Sequence, residues 1–409
     1  MSDINVSTKI DKCIITGESV VSVLDLGQHS YADTFINEDQ LNLSEPVFPL
    51  QVNLCPSSGH LQLAYVSHAE ERYNLYSYSY TSSNSAFSRN HWDNYAREVK
   101  NRFSPTSLVV EVGSNDGYLV GQFSDSCKKV LGVDISGTMC SIAEDRGVPS
   151  VQGAFNSNLG KELQELHGYA DVVIANNVLN HANDPVDFSK GAATLIGING
   201  TFVFEMPYWV SMLESGRFVD QVYHEHISYF TMKSIVAMLS KADLVVSDVE
   251  VVDYHGGSIR VYARYKTSAT QSPLVDSYIK HEEESGYFTS EFYDALVKKF
   301  SQQRSEWLAN FYRIKNENPN AIIIGVGAAA KAMTWLNYHG INKNDLCYIT
   351  DSSEFKQGKY TALSRIPIVS DNIFAEYHDP YALVLSWNIG DRLKEILLSI
   401  NPNIKFISQ

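Results

Sequence analysis

Seven residues, Asp220-Gln221-Val222-Tyr223-His224-Glu225-His226, make the densest run of acid and base groups in the chain. Two imidazoles, two carboxylates and a phenol in one short stretch can move protons, because histidine titrates near neutrality and can take a proton and return it. A run this polar also suits a solvated surface, so its position in the fold decides its worth. It follows an apolar strand, Thr201 to Pro207, on what reads as the ligand-facing edge of a sheet. A second group lies upstream. Leu108 to Val112 lead into Gly113-Ser114-Asn115-Asp116-Gly117, and the apolar pattern resumes at Tyr118, which predicts a buried strand, a glycine turn and a helix start. Glycine lets the backbone approach a ligand closely, and the amides of a helix start face it. A phosphate loop would continue Gly-Lys-Ser/Thr, and a dinucleotide turn would read G-x-G-x-x-G; here the spacing is G-x-x-x-G with Glu111 before it and Asp116 inside. Carboxylates repel a pyrophosphate and suit a cation. Glu111, Gly113, Asn115 and Asp116 therefore favour the sulfonium and amino group of S-adenosylmethionine over NAD.

The elements around these groups read as a doubly wound sheet. Val130 to Asp134 is a second strand ending in an acid, and Asp134 is either the ligand of a ribose or a helix N-cap before Ser136. Ser150 to Ala154 and Ala170 to Asn177 are the third and fourth strands. They bring Asn176, Asn177, Asn180 and His181 to the carboxyl edge, where open sheets bind ligands, although His181 reads equally well as a hydrogen-bonded surface histidine. Thr201 to Pro207 is the fifth. Leu244 to Val252 and Ser258 to Tyr265 flank Asp253-Tyr254-His255-Gly256-Gly257 as a hairpin. Five parallel strands closed by a hairpin predict the seven-stranded Rossmann-like sheet of class I methyltransferases. Further on, Ala321 to Lys331 is a strand, G-x-G-x-x-A and a helix, the opening of a small C-terminal α/β domain. Lys331, one turn into that helix, could hold a diphosphate, and Asp351 at the next strand end could hold a ribose.

A chain of 409 residues suggests two or three domains. The boundaries predicted are 1–85, 86–266 and 267–409, with 86–103 a helix feeding the central strand and 267–316 a charged helical connector. The net charge of −15 argues against a nucleic-acid partner. No leader pattern or membrane-length apolar run is present, so a cytoplasmic protein with no membrane partner is expected. Five scattered cysteines do not make a disulfide framework. Cys13 and Cys55 stand where C-x-x-C knuckles would begin, but Thr16 and Ser58 occupy the second positions. Two thiolates with two neutral hydroxyls make a poor zinc site, so no metal is expected and the fold is expected to persist without one. Tyr78 and Tyr80, in a tyrosine-rich stretch ahead of the central domain, are either phenol donors on a lid or amphipathic packing residues. No heptad pattern indicates an oligomeric state.

Taken in order, these blocks resemble a known family, the three-domain S-adenosylmethionine-dependent C-methyltransferases that act on nucleotide-linked 4-keto-6-deoxysugars. The similarity covers nearly the whole chain. It rests on Asp25-Leu26-Gly27, Glu111 to Gly117, Asp220-Gln221-x-Tyr223-x-Glu225-His226, His255-Gly256-Gly257-Ser258-x-Arg260, Gly325-x-Gly327-Ala328-x-Ala330-Lys331 and Ser386-Trp387-Asn388. The resemblance implies a small N-terminal zinc-binding domain, a central methyltransferase domain and a C-terminal domain that helps bind the sugar nucleotide. Thr16 and Ser58 depart from it where the family has zinc cysteines.

The chemistry so implied can be stated on its own terms. A ketone at C4 acidifies the C3 proton, and an enolate formed there can accept a methyl group. Such an enzyme needs a base, donors to the enolate oxygen and a fixed approach distance. His226 is the expected base, with His181 as second candidate. Tyr223 and Tyr80 are expected donors, and Glu225 the group orienting the sugar. Tyr78, His255, Gly256, Arg260, Lys331, Asp351 and Asn388 are expected on the substrate side, which would carry a thymidine- or guanosine-diphosphate sugar. The alternatives are a nicotinamide oxidoreductase built on the Gly325 turn and a non-catalytic nucleotide-sugar binder.

Overall fold

The structure, a computed structural model, describes residues 7–67, 81–83 and 85–407. The chain groups into two compact units, one of 1–21, 53–216 and 226–289, the other of 22–52, 217–225 and 290–409. Among the described residues no helix is long and apolar enough to cross a membrane. None of the five cysteines is in a disulfide.

The first unit is built on α1 (Ala86–Phe103) and β1 (Leu108–Val112). Ser85 caps α1 by accepting from the Ser88 N–H at 3.0 Å, and Trp92, Tyr95, Ala96 and Val99 recur at helical spacing on its buried face. All five residues of β1 are buried, as expected of a strand with parallel neighbours on both sides. The elements that follow are α2 (Tyr118–Gly121), β2 (Lys129–Asp134), α3 (Gly137–Asp145), β3 (Ser150–Gln152), α4 (Ser157–His167), β4 (Val172–Asn176), α5 (Pro185–Ile196), β5 (Thr201–Pro207), α6 (Trp209–Glu214), α7 (Met232–Ser240), β6 (Leu244–Val252), β7 (Ser258–Tyr265) and α8 (Leu274–Glu284). The strand order is β6-β7-β5-β4-β1-β2-β3, with β7 antiparallel to both neighbours and the rest parallel. This is the class I S-adenosylmethionine-dependent methyltransferase sheet. Its order reverses between β1 and β4, so the carboxyl ends of β1, β2 and β4 line one crevice edge. Val99, Val109, Phe123, Val172, Ile174 and Tyr254 share the core beneath it.

The charged stretch read as one connector is two helices. α8 belongs to the first unit because Glu282 is fully buried in it, accepting from the Tyr208 hydroxyl at 2.7 Å and from the Met232 and Lys233 N–H groups at 2.5 and 3.1 Å. A carboxylate there meets the positive end of α7, a role invisible in a sequence where it sits among exposed glutamates. The third strand is also shorter than expected, ending at Gln152.

Also in the first unit, His60 to Leu63 form a strand that pairs with Ser228 and Tyr229. The His60 ring is fully buried, 5.2 Å from Phe230, and burial pushes its pKa down to about 3. A group whose folded pKa is depressed contributes stability above its unfolded value of about 6.5 and loses it as pH falls toward the folded value. Between pH 6.5 and 4.5 the wild type should therefore lose about 2–3 kcal/mol that His60→Phe retains. Urea unfolding at the two pH values checks this; equal losses in both proteins would sink it.

The second unit opens its helical layer with α9 (Ser290–Glu317) and continues with β8 (Ile323–Val326), α10 (Ala330–His339), β9 (Tyr348–Thr350), β10 (Ile368–Val369), β11 (Tyr381–Val384), α11 (Gly390–Ile400) and β12 (Lys405–Ile407). Its parallel sheet runs β10-β9-β8-β11-β12. Phe311, Ile323, Met333, Leu336, Ile349 and Leu383 fill its core. Residues 22–52 join this unit: Phe35 and Ile36 pair with Thr361 and Tyr360, and Glu45 takes the Leu363 N–H at 3.0 Å and the Arg365 guanidinium. The compact grouping thus divides the first 85 residues.

Candidate functional site

The glycine turn after β1 is shaped for close approach. Gly113 has φ 70°, and a Cβ there would stand 2.2 Å from Val178 Cγ2. Its N–H and that of Ser114 donate to the Val133 carbonyl at 2.7 and 3.1 Å, which ties the turn to β2. Asn115, at φ 50°, donates its N–H to the Asp134 carboxylate at 2.8 Å, and the other Asp134 oxygen accepts from the Ser136 N–H at 2.8 Å. Ser136 itself caps α3, so the capping alternative for Asp134 falls away. Asn176 ends β4 and Asn177 follows in the left-handed region at φ 54°, its N–H held by the Glu205 carbonyl at 2.7 Å.

Three buried carboxylates surround this turn. Burial holds Glu111 well above the usual carboxylate range, and the charges of Asp116 and Asp134 add to the effect. Burial likewise raises Asp134, against hydrogen bonds from the backbone of Ser136 and Asn115. Asp134, at the carboxyl end of β2 with both oxygens fixed by backbone N–H groups, fits the ribose hydroxyls of S-adenosylmethionine. Two expectations need correction in detail. Asp116 was expected to face the ligand, but its carboxylate is engaged by the Ser82 and Ser83 hydroxyls at 2.6 and 2.5 Å and by Arg146 at 2.9 Å. Glu111 turns to the Val120 N–H at 2.9 Å and so stabilises the start of the following helical turn. Long-range hydroxyl partners of this kind leave no periodic signal.

Beyond the end of β4, His181 and His226 meet edge to face, with ring centroids 4.8 Å apart and planes at 88°. Their backbones are fixed together: Ile227 N–H donates to the Asn180 carbonyl at 2.7 Å, and His181 N–H to that of Val178 at 2.9 Å. His226 is buried, as is Asn180, whose amide atoms have no hydrogen-bond partner among the described residues. The acid-base run is split by the compact grouping, with 217–225 in the second unit and His226 in the first. In the second unit Tyr223 packs on the core cluster of that unit, and Glu225 Oε1 accepts from the Ala32 and Asp33 N–H groups at 3.0 and 3.3 Å. Tyr78 and Tyr80 lie outside the described residues, as does the side chain of Asn388.

The substrate-side expectations divide. Arg260 is committed elsewhere: it stacks 4.4 Å over the Tyr95 ring and pairs with Glu98, Glu205 and Glu250 at 2.6, 2.8 and 3.3 Å. Strand pairing explains it, since Arg260 stands opposite Glu205 in the β5–β7 register. His91, not singled out by sequence, joins this network at 2.7 Å from Glu205 and stacks on Tyr254 at 3.7 Å. His255 and Gly256 form the hairpin turn, both at positive φ, with the His255 ring 4.1 Å from Tyr254. In the second unit Asp351 repeats the Asp134 geometry, accepting from the Ala328 and Ser353 N–H groups at 2.9 Å each. Lys331 lies 4.6 Å over Trp387 beside Arg217, which is 3.4 Å from the same ring. Burial lowers Lys331 to about 8 against the attraction of Asp220, while burial raises Asp220 to about 6.

Three family models match in succession: "Putative zinc binding domain" over residues 13–73, "Methyltransferase domain" over 88–249 and "C-methyltransferase C-terminal domain" over 253–407. The C-methyltransferase NovU of Streptomyces niveus is 28% identical over 396 residues, which cover 95% of this chain and 93% of that protein. Similar solved structures include the PH0226 protein of Pyrococcus horikoshii OT3, 17% identical with a TM-score of 0.38, covering 48% of this chain and 99% of that one. Magnesium protoporphyrin IX methyltransferase of Synechocystis PCC 6803 with bound SAH is 15% identical with a TM-score of 0.35, covering 44% of this chain and 83% of that one.

Proposed function

We propose that this S-adenosylmethionine-dependent methyltransferase is a C-methyltransferase that methylates C3 of a nucleoside-diphosphate-linked 4-keto-6-deoxyhexose through an enolate, in branched deoxysugar synthesis. One observation carries this reading: the buried His226 imidazole, backed by His181, stands in the same unit as the acid-lined turn and Asp134. An oxygen or nitrogen nucleophile already carries the lone pair that attacks the methyl group, whereas a carbon nucleophile exists only after a base has removed a carbon-bound proton. A preorganised imidazole pair suits that demand.

Bound S-adenosylmethionine supplies a methyl group activated by its sulfonium. Asp134 would hold the ribose hydroxyls, with the Asn115 N–H fixing the carboxylate from the turn side. His226 accepts the C3 proton on an imidazole nitrogen, and His181 orients that ring. Asn180, whose buried amide has no hydrogen-bond partner among the described residues, contributes donors and an acceptor for sugar oxygens in the same loop cluster.

The decisive experiment incubates the protein with S-adenosylmethionine and, separately, thymidine- and guanosine-diphosphate 4-keto-6-deoxyhexoses, and follows the product by mass spectrometry and NMR. The expected product has one added methyl on C3 and has lost the exchangeable C3 proton, with one nucleotide strongly preferred. A methyl resonance at a methyl-ether position, or turnover of neither sugar, would overturn the proposal.

A further inference from the structure

Two segments of the first unit fold into the same turn. Cys13-Ile14-Ile15-Thr16-Gly17 and Cys55-Pro56-Ser57-Ser58-Gly59 each place a hydroxyl residue three positions after a cysteine and a glycine next. In each, the glycine N–H returns to the cysteine carbonyl, at 2.8 and 2.9 Å, and the glycine is left-handed, at φ 76° and 67°. The side chains then cross. Cys13 Sγ lies 3.7 Å from Ser58 Oγ, and Cys55 Sγ lies 3.7 Å from Thr16 Oγ1, so the second position of each turn meets the first position of the other. Four side chains converging from two such turns is the arrangement that holds a tetrahedral zinc ion when all four are thiolates. Gln62 steadies the first turn, accepting from the Ile14 N–H and donating to the Lys12 carbonyl, both at 2.9 Å.

The donor set does not fit the ion that the zinc-binding family model implies. Neutral hydroxyls are weak ligands for zinc beside thiolates, and no group of three or more His, Cys, Asp or Glu that could hold a metal occurs among the described residues. The same atoms instead satisfy one another. The Ser57 hydroxyl donates a hydrogen bond to the Glu18 carboxylate, and its oxygen, 3.2 Å from Cys55 Sγ, has a lone pair left to accept from the thiol. Thr16 Oγ1 accepts from the Glu18 N–H at 3.3 Å and keeps its own proton for Cys55 Sγ. A chain of polar hydrogens thus begins and ends on Glu18, and the buried Cys55 has both a donor and an acceptor.

We infer that these two turns form a metal knuckle without a metal, in which a thiol–hydroxyl network closed on Glu18 stands where zinc would bind, and that Thr16 and Ser58 alone separate it from a four-thiolate zinc site. The inference is independent of the acceptor proposed above. It is tested on full-length protein purified without a metal-affinity tag. Elemental analysis of the wild type should find no stoichiometric zinc, and a strong chelator should leave its Tm unchanged. The double variant Thr16→Cys, Ser58→Cys should take up about one zinc per chain, give the tetrahedral thiolate spectrum with cobalt(II), and acquire a Tm that falls on chelation. Stoichiometric zinc in the wild type, or a chelator-sensitive wild-type Tm, overturns the inference. So does a folded double variant that binds neither ion. If the double variant does not fold, the wild-type zinc content and chelator response decide alone.

Discussion

His226→Gln should lower kcat/KM for methyl transfer by about a hundred- to ten-thousand-fold, the range that loss of a positioned general base produces. Glutamine keeps a polar side chain in the buried position but cannot take a proton near neutral pH. Binding of S-adenosylmethionine, measured by calorimetry, should change little, because the turn, Asp134 and Asn177 are fixed by contacts that do not involve His226. Deuterium exchange at C3 of the sugar isolates the step more sharply. In heavy water the wild type should exchange that proton, and the variant should not. A variant that exchanges normally but fails to transfer methyl would remove His226 from the base role. His181→Ala should then be the slower of the two; if His226 is the base, it should show the smaller loss, since His181 acts by holding the partner ring.

The features legible in sequence are those set by local pattern. β1 and its turn were readable because parallel strands are apolar throughout and only glycine suits the left-handed turn position of Gly113. The β6–β7 hairpin was readable because two strand-like runs flank a pair of glycines. Asp134 was readable from its distance down the chain to the turn. What escaped is what depends on partners far away in sequence. Arg260 looked like a substrate ligand because nothing local reveals that it faces Glu205 on the neighbouring strand. Asp116 looked ligand-facing because Ser82, Ser83 and Arg146 are ordinary surface residues until the chain folds. Residues 22–52 read as part of an N-terminal domain, yet the Phe35 and Glu45 pairings set them in the second compact unit. The helix at 274–284 was readable as a helix, but the burial of Glu282 that assigns it to the first unit was not.

Arg260→Met should destabilise the first unit by about 3–5 kcal/mol, the usual consequence of leaving a buried charge without its partner. The Glu205 side chain has no solvent exposure and the Arg260 side chain has 5%, so water cannot replace the lost guanidinium. Methionine keeps most of the aliphatic stem but not the guanidinium that stacks on Tyr95, so the loss is of charge, hydrogen bonding and that ring contact. Replacing both partners by apolar residues removes the orphaned charge, so Arg260→Met with Glu205→Leu should recover much of the loss in urea unfolding, even though it breaks the same ion pair. His91, which also reaches Glu205, limits that recovery because its ring would lose its acceptor. The consequence extends to function through the strand ends. Glu205 stands opposite Asn176 in the β4–β5 register, and its carbonyl holds the Asn177 N–H. A single variant that relaxes the end of β5 should therefore raise KM for S-adenosylmethionine along with its loss of stability, while the double variant should restore stability more completely than KM. Arg260→Met within about 1 kcal/mol of the wild type would show that the network is solvated in solution, because only water reaching Glu205 could spare it that cost.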